Sequence, residues 1–238
     1  MTTTGESRFK LDNLVVKKLY VITVGERKPL QSTVSDCNIL KFLCQLPNLK
    51  EIYIDNSFDN PISLTDLGPL KHLRNIAISH CGITEIQGLG NMVEMESILL
   101  SGGNITKIQG LENLTRLKLL DLGGNQIERI EGLDNLVALE TIGLGNNLIK
   151  EIKGLETLVD LKRLFLQSNC IQQIEGLDNQ KSLEVLSLGY NNLFQGAKYV
   201  SRYELMKYIE HLANLKYFNE NRFPLPEKIY LQHNPDCI

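Results

Sequence analysis

The sequence lacks the features on which several classes of activity depend. It contains no tryptophan and only 6% aromatic residues, and its net charge is −3. This balance provides no overall attraction to nucleic acid or to an anionic membrane surface. It also has no apolar run of the roughly 18 residues that a membrane-spanning helix requires. We therefore expect neither a nucleic-acid partner nor a membrane partner.

The scarce cysteines and histidines also fail to form a recognisable site. The five cysteines and four histidines show no C-x-x-C or H-x-x-x-H spacing, so no metal is predicted. The first residues, MTTTGESRFK, have no apolar core of the kind found in a secretory signal. An odd, scattered set of cysteines without such a signal is interpreted as reduced thiols. The expected location is the cytoplasm, with the nucleus or the cytoskeleton as alternatives.

What the sequence does contain is a repeat. Its consensus is L-x-x-L-x-L-x-x-N-x-I-x-x-I-x-G-L, and an additional copy at Leu49 lies 24 residues before the first regular one. The other copies follow at intervals of 22 residues, and their first positions are Leu73, Met95, Leu117, Leu139, Leu161 and Leu183. Regular self-similarity of this length is typical of stacked repeats that share one continuous core.

Each part of the consensus predicts a local structure. The alternating L-x-L segment predicts a strand with inward leucines, and Ile-x-x-Ile predicts a 3₁₀ or other tight turn. A side-chain amide at the Asn position can pair with turn backbone groups that would otherwise be buried alone. The residue before it, such as Asn146, is expected to be exposed and to tolerate alanine within about 0.5 kcal/mol. Parallel strands are predicted near 52–54, 76–78, 98–100, 120–122, 142–144, 164–166 and 186–188.

These residues resemble the leucine-rich repeat family. The constant 22-residue period with I-x-x-I-x-G-L-x-x-L is similar to the subclass typified by the leucine-rich regulatory subunit of protein phosphatase 1. The resemblance covers 46–195 and continues into YELMKYIEHLANLKYFN at 203–219, which is similar to the C-terminal cap of many of these proteins. It implies an α/β solenoid, with a curved parallel sheet on the concave side and 3₁₀ or turn segments on the convex side.

Three regions follow from this pattern. Residues 1–48 are interpreted as an N-terminal cap or irregular first repeat, with a strand at 15–24 and a helix at 35–46. Residues 49–198 hold about seven repeats. Residues 199–238 are interpreted as a cap helix, which covers the open end of the sheet, and a tail that either wraps the cap or is disordered. The cap helix is expected to turn Leu205, Ile209 and Leu212 inward, with Tyr208 beside them.

Short motifs that suggest chemistry fit this repeat better as structure. The segments GGN and GLGNN recur at strand ends and lack the lysine of a phosphate-binding loop, so no cofactor is predicted. His80 and Cys81 could form a base and a nucleophile, but Cys81 occupies the Asn position of its repeat. No catalytic constellation is found. A protein-modifying enzyme that uses Cys81 or Cys170 is the alternative.

The remaining candidate is the concave surface. Small residues in its middle strands predict a low, smooth floor, with larger side chains towards either end of the sheet. Aromatic anchors on a rigid scaffold are typical of binding hot spots. The outward residues of its central row are Tyr53, Ala77, Leu99, Asp121, Gly143, Phe165 and Ser187. The predicted partner-binding residues are Glu51, Tyr53, Asp55, Leu99, Asp121, Arg163, Phe165 and Tyr190.

The pattern therefore predicts a monomeric protein-interaction scaffold. The resemblance implies a Ser/Thr phosphatase catalytic subunit as partner, since the phosphatase regulator grips its enzyme with acidic and aromatic concave residues. Relatives of the same subclass serve axonemal dynein, tubulin-linked assemblies and the spliceosome, which are the alternative partners. A nucleic-acid scaffold is not expected, because Arg163 is the only basic residue predicted on the concave rows.

Overall fold

The computed structural model describes residues 18–23, 26–30, 49–55, 63–80, 82–219, 221–232 and 234. Eleven strands form one sheet, and two further strands form a small separate pair. The strands are β1 Lys18–Thr23, β2 Glu26–Leu30, β3 Glu51–Asp55, β4 Asn75–Ser79, β5 Ser97–Ser101, β6 Leu119–Asp121, β7 Thr141–Gly143, β8 Arg163–Phe165, β9 Val185–Ser187, β10 Tyr199–Ser201, β11 Tyr217–Phe218, β12 Asn221–Arg222 and β13 Lys228–Tyr230.

The seven strands β3 to β9 are parallel and lie side by side in chain order. Their register advances by one repeat at each step, so that Ile76 pairs with Ile98, and Leu164 pairs with Leu186. These strands match the predicted ones, although all seven begin one residue earlier than predicted and β6 to β9 also end one residue earlier. The predicted parallel-sheet solenoid is therefore confirmed, with short irregular connections between its strands.

The pairing changes direction only beyond these seven strands. β1 is antiparallel to both β2 and β3, so β1 and β2 form a hairpin that extends the sheet before the first repeat. The sequence predicted the first strand of this hairpin but missed the second, because ERKPL has charges and a proline instead of an apolar alternation. A strand at a sheet edge tolerates both. The predicted helix at 35–46 lies outside the described residues.

The tight turns lie in a different part of the repeat from the one predicted. Leu114 N donates to Leu111 O and Leu117 N donates to Leu114 O, both at 2.9 Å, so the turns occupy the G-L-x-x-L-x-x-L segment. The Ile-x-x-Ile segments pair with neighbouring repeats instead, as where Gln126 N donates to Ile105 O at 2.9 Å. This corrects the assignment of a 3₁₀ turn to Ile-x-x-Ile. Isoleucine is β-branched, and such residues favour backbone that pairs laterally.

Two 3₁₀ helices do occur in the described residues, at Leu64–Leu67 and Leu193–Gly196. Both lie where the sequence departs from the regular repeat. The turn of each regular repeat requires glycine at one position: Gly154 has φ +75°, and a Cβ there would collide with Ile130 O of the preceding repeat. The regular recurrence of G-L along this chain is therefore explained by the close approach of neighbouring repeats at this position.

The predicted asparagine ladder is present and buried. Asn147 Oδ1 accepts from Ile127 N at 3.0 Å, while its Nδ2 donates to Leu122 O at 3.0 Å and to Leu144 O at 3.1 Å. Each amide thereby joins two consecutive turns. The same arrangement is made by Asn125, Asn169 and Asn191.

The residue before each ladder asparagine has a left-handed backbone. The φ angle is 56° at Asn146, 55° at Ser168 and 54° at Tyr190. Alanine is disfavoured in this region by about 1 kcal/mol or more, whereas asparagine and glycine adopt it readily. The expected cost of Asn146→Ala is therefore raised from within about 0.5 kcal/mol to about 1 kcal/mol, although Asn146 is exposed as predicted.

The C-terminal segment caps the core, and its tail wraps the cap. The helix α1, Arg202–Ile209, begins at the N-cap Ser201, whose Oγ accepts from Glu204 N at 3.1 Å. Leu205, Ile209 and Leu212 are buried as predicted, and Tyr208 lies at the margin. The tail then places β13 against β10. No helix in the described ranges is long and apolar enough to cross a bilayer.

Alternating charges line the residues that precede the strands. Consecutive repeats pair Glu140 with Lys162 at 2.9 Å and Glu184 with Lys216 at 3.0 Å. The same row continues towards the N-terminus with Lys118 and Glu96, at 3.9 Å. Opposite charges on adjacent rungs favour this stacking order. The hydrogen bond and the charge of the Lys162 ammonium lower the pKa of Glu140.

This row predicts an acid-sensitive contribution to stability. A carboxylate whose pKa is lowered by folding stabilises the protein above its unfolded pKa and loses that contribution as pH falls through the folded pKa. Glu140→Gln is expected to lower the thermal midpoint at neutral pH and to match the parent chain well below pH 4.5, the ordinary value for this carboxyl. Thermal melts at both pH values test this. The exposed convex variant Glu128→Gln is the control, and a pH-independent difference for Glu140→Gln would contradict the prediction.

One cysteine is not a free thiol. Cys170 is disulfide-bonded, and the four other cysteines lie outside the described residues. The interpretation of all five cysteines as reduced is therefore wrong for Cys170. The error arose because the spacing of the repeats does not show that a distant part of the chain returns to the neighbourhood of Cys170. Asn234 shows such a return: its Nδ2 donates to Asn169 O at 3.2 Å, next to Cys170.

Candidate concave binding surface

The concave rows are arranged as the repeat predicts. Backbone pairing aligns the central row across β3 to β9, and neighbouring members face the same side of the sheet. Between them, the buried leucines and isoleucines point into the core. The central row consists of Tyr53, Ala77, Leu99, Asp121, Gly143, Phe165 and Ser187.

At the N-terminal end, the predicted anchors are tied to one another. Tyr53 Oη donates to Glu51 Oε2 at 3.2 Å, and Asn75 Nδ2 donates to the other carboxylate oxygen at 3.1 Å. Tyr53 lies on the third strand from this edge, because β2 and β1 extend the sheet beyond it. Asp55 ends β3 opposite Ser79, and its side chain is outside the described part of the structure. These contacts hold Glu51 and Tyr53 together as one polar group.

The middle of the surface is not the bare floor that its glycines suggest. Gly143 and Gly145 are both buried, because neighbouring side chains lie over them. A Cβ on Gly143 would come within 2.8 Å of the Asp121 carboxylate, and one on Gly145 would collide with the Gln167 amide. Gly123 N also donates to Asp121 Oδ1 at 2.9 Å. The floor is therefore covered by a carboxylate and an amide, which corrects the expected smooth surface.

Leu99 lies between Ala77 and Asp121 in the central row and is half-buried. Arg163 occupies the adjacent row and is exposed. Its Nη1 donates to Thr141 Oγ1 at 3.5 Å, which leaves the other guanidinium N–H groups directed towards solvent or a partner. Leu99 and Arg163 are therefore brought onto one surface, but they do not form a single cluster.

The C-terminal end brings the two predicted aromatic anchors together. Phe165 is half-buried, Tyr190 is 47% exposed, and both line a cleft of about 340 Å³. A second hollow of about 390 Å³ covers the centre of the sheet and shares Phe165 and Gln167 with this cleft. Asp121 lies in the second hollow. Phe165 and Gln167 thus form the boundary between a central, acidic hollow and a terminal, aromatic cleft.

Sequence reasoning missed two tyrosines at this end. Tyr217, in β11, pairs with Val185 and so continues the row of Arg163. The sequence did indicate this strand, because LKYF at 215–218 aligns with the strand-forming LKLLD at 117–121. Tyr230, in β13, is 68% exposed and lines the cleft. It carried no sequence signal, because its position depends on the pairing of β13 with β10.

The shifted pKa values belong to residues away from this surface. Hydrogen bonds from His72 and Arg74 lower the pKa of Glu94, and a hydrogen bond from Lys153 lowers that of Glu151. These ion pairs lie outside the two hollows. Among the described residues, no group of three or more His, Cys, Asp or Glu side chains is placed to hold a metal ion. The surface offers aromatic, amide and carboxylate groups suited to recognition.

Comparison with known proteins supports the repeat at two levels. The family model of leucine-rich repeats, two copies, matches residues 115–157 and 137–179. No curated protein matches the sequence. The fold, in contrast, is shared with 377 solved chains. Because so widespread a fold hosts unrelated functions, the likeness does not identify a function by itself.

The similar structures include two bacterial internalins of Listeria monocytogenes. InlF is 21% identical with a TM-score of 0.64, and the alignment covers 79% of this chain and 51% of that one. Internalin C2 is 19% identical with a TM-score of 0.59, and the alignment covers 77% and 91% of the two chains. The chain thus spans about half the length of InlF.

TLR13, solved in complex with ssRNA13, is 24% identical with a TM-score of 0.60. That alignment covers 74% of this chain but only 26% of TLR13. Identities at this level establish the architecture alone. Residues 115–179 thus match the leucine-rich repeat family model, and the described residues share the fold of these solved structures.

Proposed function

We propose that this protein is an interaction scaffold that binds a partner protein on its concave surface, mainly at the C-terminal end. The observation that supports this most strongly is the meeting of Phe165 and Tyr190 at one cleft, beside the exposed Arg163. Hot spots are typically built from aromatic and arginine side chains on a rigid support. The parallel sheet provides that support, because each strand is held on both sides.

The resemblance to the phosphatase regulator makes a Ser/Thr phosphatase catalytic subunit the first partner to test. Acidic and aromatic concave residues are available for comparable contacts, namely Glu51, Tyr53, Asp121, Phe165 and Tyr190. The contact made by Tyr53 with Glu51 predicts that the N-terminal anchor acts as a polar unit. A cytoskeletal, axonemal or spliceosomal adaptor is the alternative, in which the same surface holds a different protein. The proposed partner is a protein in every case, and catalysis is not part of the proposal.

The test compares matched pairs of substitutions in the intact chain. Phe165→Ala combined with Tyr190→Ala is expected to remove the partner, since truncation at a hot spot costs about 2 kcal/mol per residue, or roughly thirtyfold in affinity. Glu128→Ala combined with Lys150→Ala changes two exposed convex side chains and is expected to keep it. Tyr203→Ala is an aromatic control, because Tyr203 is exposed on the cap. Each variant is first checked by thermal melting.

Two measurements distinguish the general proposal, a scaffold for a partner protein, from the specific one, in which the partner is a phosphatase. A pull-down from cell extract, identified by mass spectrometry, reports any partner, while calorimetry with a purified phosphatase catalytic subunit tests that partner directly. Loss of the captured protein only in the concave variant supports the scaffold. Retention there, with loss in the convex variant, would place the binding face on the opposite side. A phosphatase that does not bind the parent chain would remove that assignment alone.

A further inference from the structure

The cleft at the C-terminal end has two walls of different origin. One wall consists of concave residues, including Phe165 and Tyr190, and the other consists of the returning tail, with Tyr230, Leu231 and Gln232. β13 pairs with β10, and the buried Ile229 anchors the strand beside the cleft. Its volume of about 340 Å³ is at the lower end of the range for ligand pockets. A space of this size accommodates a short chain segment and not a folded surface.

The lining of the cleft disfavours binding of a charged group. Among the described residues that line it, none is charged, and the polar groups are amides and hydroxyls such as Asn219, Asn221 and Ser187. A charged group that entered would lose hydration without gaining an ionic partner, which is costly. Amides, in contrast, both donate and accept, so they match the N–H and C=O groups of a peptide backbone. The lining therefore favours an uncharged peptide segment.

One buried acceptor in this cleft has no partner. Gln167 Oε1 is inaccessible to solvent and forms no hydrogen bond within the described structure. The side chain is held over Gly145, which has no Cβ to displace it. An unpaired buried acceptor is destabilising, and a bound segment satisfies it with an N–H group once the Gln167 side chain turns towards the cleft. Backbone amides supply such a donor at every non-proline residue.

Tyr190 is held in a backbone conformation that a bulky side chain seldom adopts. Its φ is 54°, and the equivalent positions of the preceding repeats hold residues that are smaller or enter this region more readily: His80, Gly102, Gly124, Asn146 and Ser168. The ring is 47% exposed, so burial in the core does not offset the strain. Strained residues of this kind concentrate at sites of binding. Here the conformation directs an aromatic ring to the cleft.

We infer that this cleft binds a short, uncharged, extended segment of the partner chain. A large apolar or aromatic side chain of the segment lies among Phe165, Tyr190 and Tyr230. The Gln167 amide turns towards the cleft, so that its Oε1 accepts from a backbone N–H group of the segment. This inference rests on the proposed function and narrows it, because the partner is recognised through a linear segment. The tail is then part of the binding site as well as part of the cap.

The test uses a library of short random peptides displayed on phage and selected on the intact chain. The selected peptides are expected to share an uncharged core around one aromatic or large aliphatic residue. One of them is then synthesised, and its affinity for each variant is measured by calorimetry. Tyr230→Ala is expected to weaken it about thirtyfold, and Tyr203→Ala to leave it unchanged.

Gln167→Leu provides the sharper comparison, because its effects on stability and binding should have opposite signs. Removing the unpaired acceptor is expected to keep or raise the thermal midpoint, while peptide affinity falls about fivefold. Gln172→Leu changes an exposed glutamine of the same repeat and is expected to leave the affinity unchanged. A general structural role for Gln167 would move both quantities in the same direction.

Several outcomes would overturn the inference without affecting the scaffold itself. The first is a selection that enriches no peptide, and the second is a selection that enriches peptides with charged cores. The third is a set of selected peptides that bind the Gln167→Leu and Tyr230→Ala variants as tightly as they bind the parent chain. If a protein captured from extract is lost with the Phe165 and Tyr190 substitutions but not with these two, the concave wall binds the partner, and neither the tail wall nor Gln167 takes part in binding. Loss with none of the four would contradict the proposed function as well.

Discussion

Removal of residues 199–238 is expected to make the protein aggregate. The truncation strips the cap from the last repeat, whose core residues Leu186 and Leu188 are buried. It also removes β11, the parallel neighbour of β9, and so leaves an unpaired strand edge. Size-exclusion chromatography and thermal melting test this expectation. A truncated chain that stays monomeric with an unchanged midpoint would show that the segment is not a cap.

A single substitution separates loss of the cap from loss of chain length. Leu205 is fully buried, so Leu205→Asp places a carboxylate in the core and is expected to cost about 4 kcal/mol or more. Tyr203→Asp adds the same charge to the same helix at a position that is 77% exposed, and is expected to change stability by less than about 1 kcal/mol. Urea titrations of both variants give the comparison. Equal losses would mean that the helix does not pack as described.

Asn147→Leu is expected to destabilise the protein by about 1–3 kcal/mol. Leu122 O and Leu144 O keep other donors, because Asn125 and Asn169 reach them at 2.9 Å. Ile127 N, however, loses the acceptor that it uses, Asn147 Oδ1. The cost is therefore mainly that of one buried unpaired donor and not of three broken bonds. Urea unfolding measures it.

The neighbouring Asn146 provides the control for this prediction. Asn146→Ala is expected to cost about 1 kcal/mol through its left-handed backbone, whereas Asn146→Gly is expected to be close to neutral. The two asparagines are thus needed for different reasons, one for its amide and the other for its backbone conformation. If Asn146→Gly were as destabilising as Asn147→Leu, the assignment of these roles would be wrong.

The repeat could be predicted from sequence because each of its parts has a local physical cause. Alternating leucines specify which face of each strand is buried, and this determines the register of all seven parallel strands. The asparagine ladder follows from the need to pair turn backbone groups, and its spacing gave the correct positions. The central concave row, including Phe165, was predictable for the same reason, and so was the placement of Tyr190 on the adjacent repeat.

The position of the turns within the repeat was not predictable from spacing alone. Ile-x-x-Ile and Leu-x-x-Leu have the same spacing, and both are compatible with a tight turn. Stacking decided between them, because Ile105 O accepts a hydrogen bond from the next repeat while Leu111 O accepts one from its own turn. The second strand of the N-terminal hairpin was missed for a related reason, since an edge strand needs no apolar alternation.

The sequence by itself determined the periodic part of this protein: the parallel strands, the buried face, the ladder and the cap helix. Only the tertiary structure decided the C-terminal end of the concave surface. The Asp121 and Gln167 side chains cover their glycine neighbours, and the tail returns to place Tyr230 beside Tyr190. Periodicity reports contacts that recur between neighbouring repeats. Contacts between residues far apart in the chain occur once, so they leave no pattern and depend on how the whole chain packs.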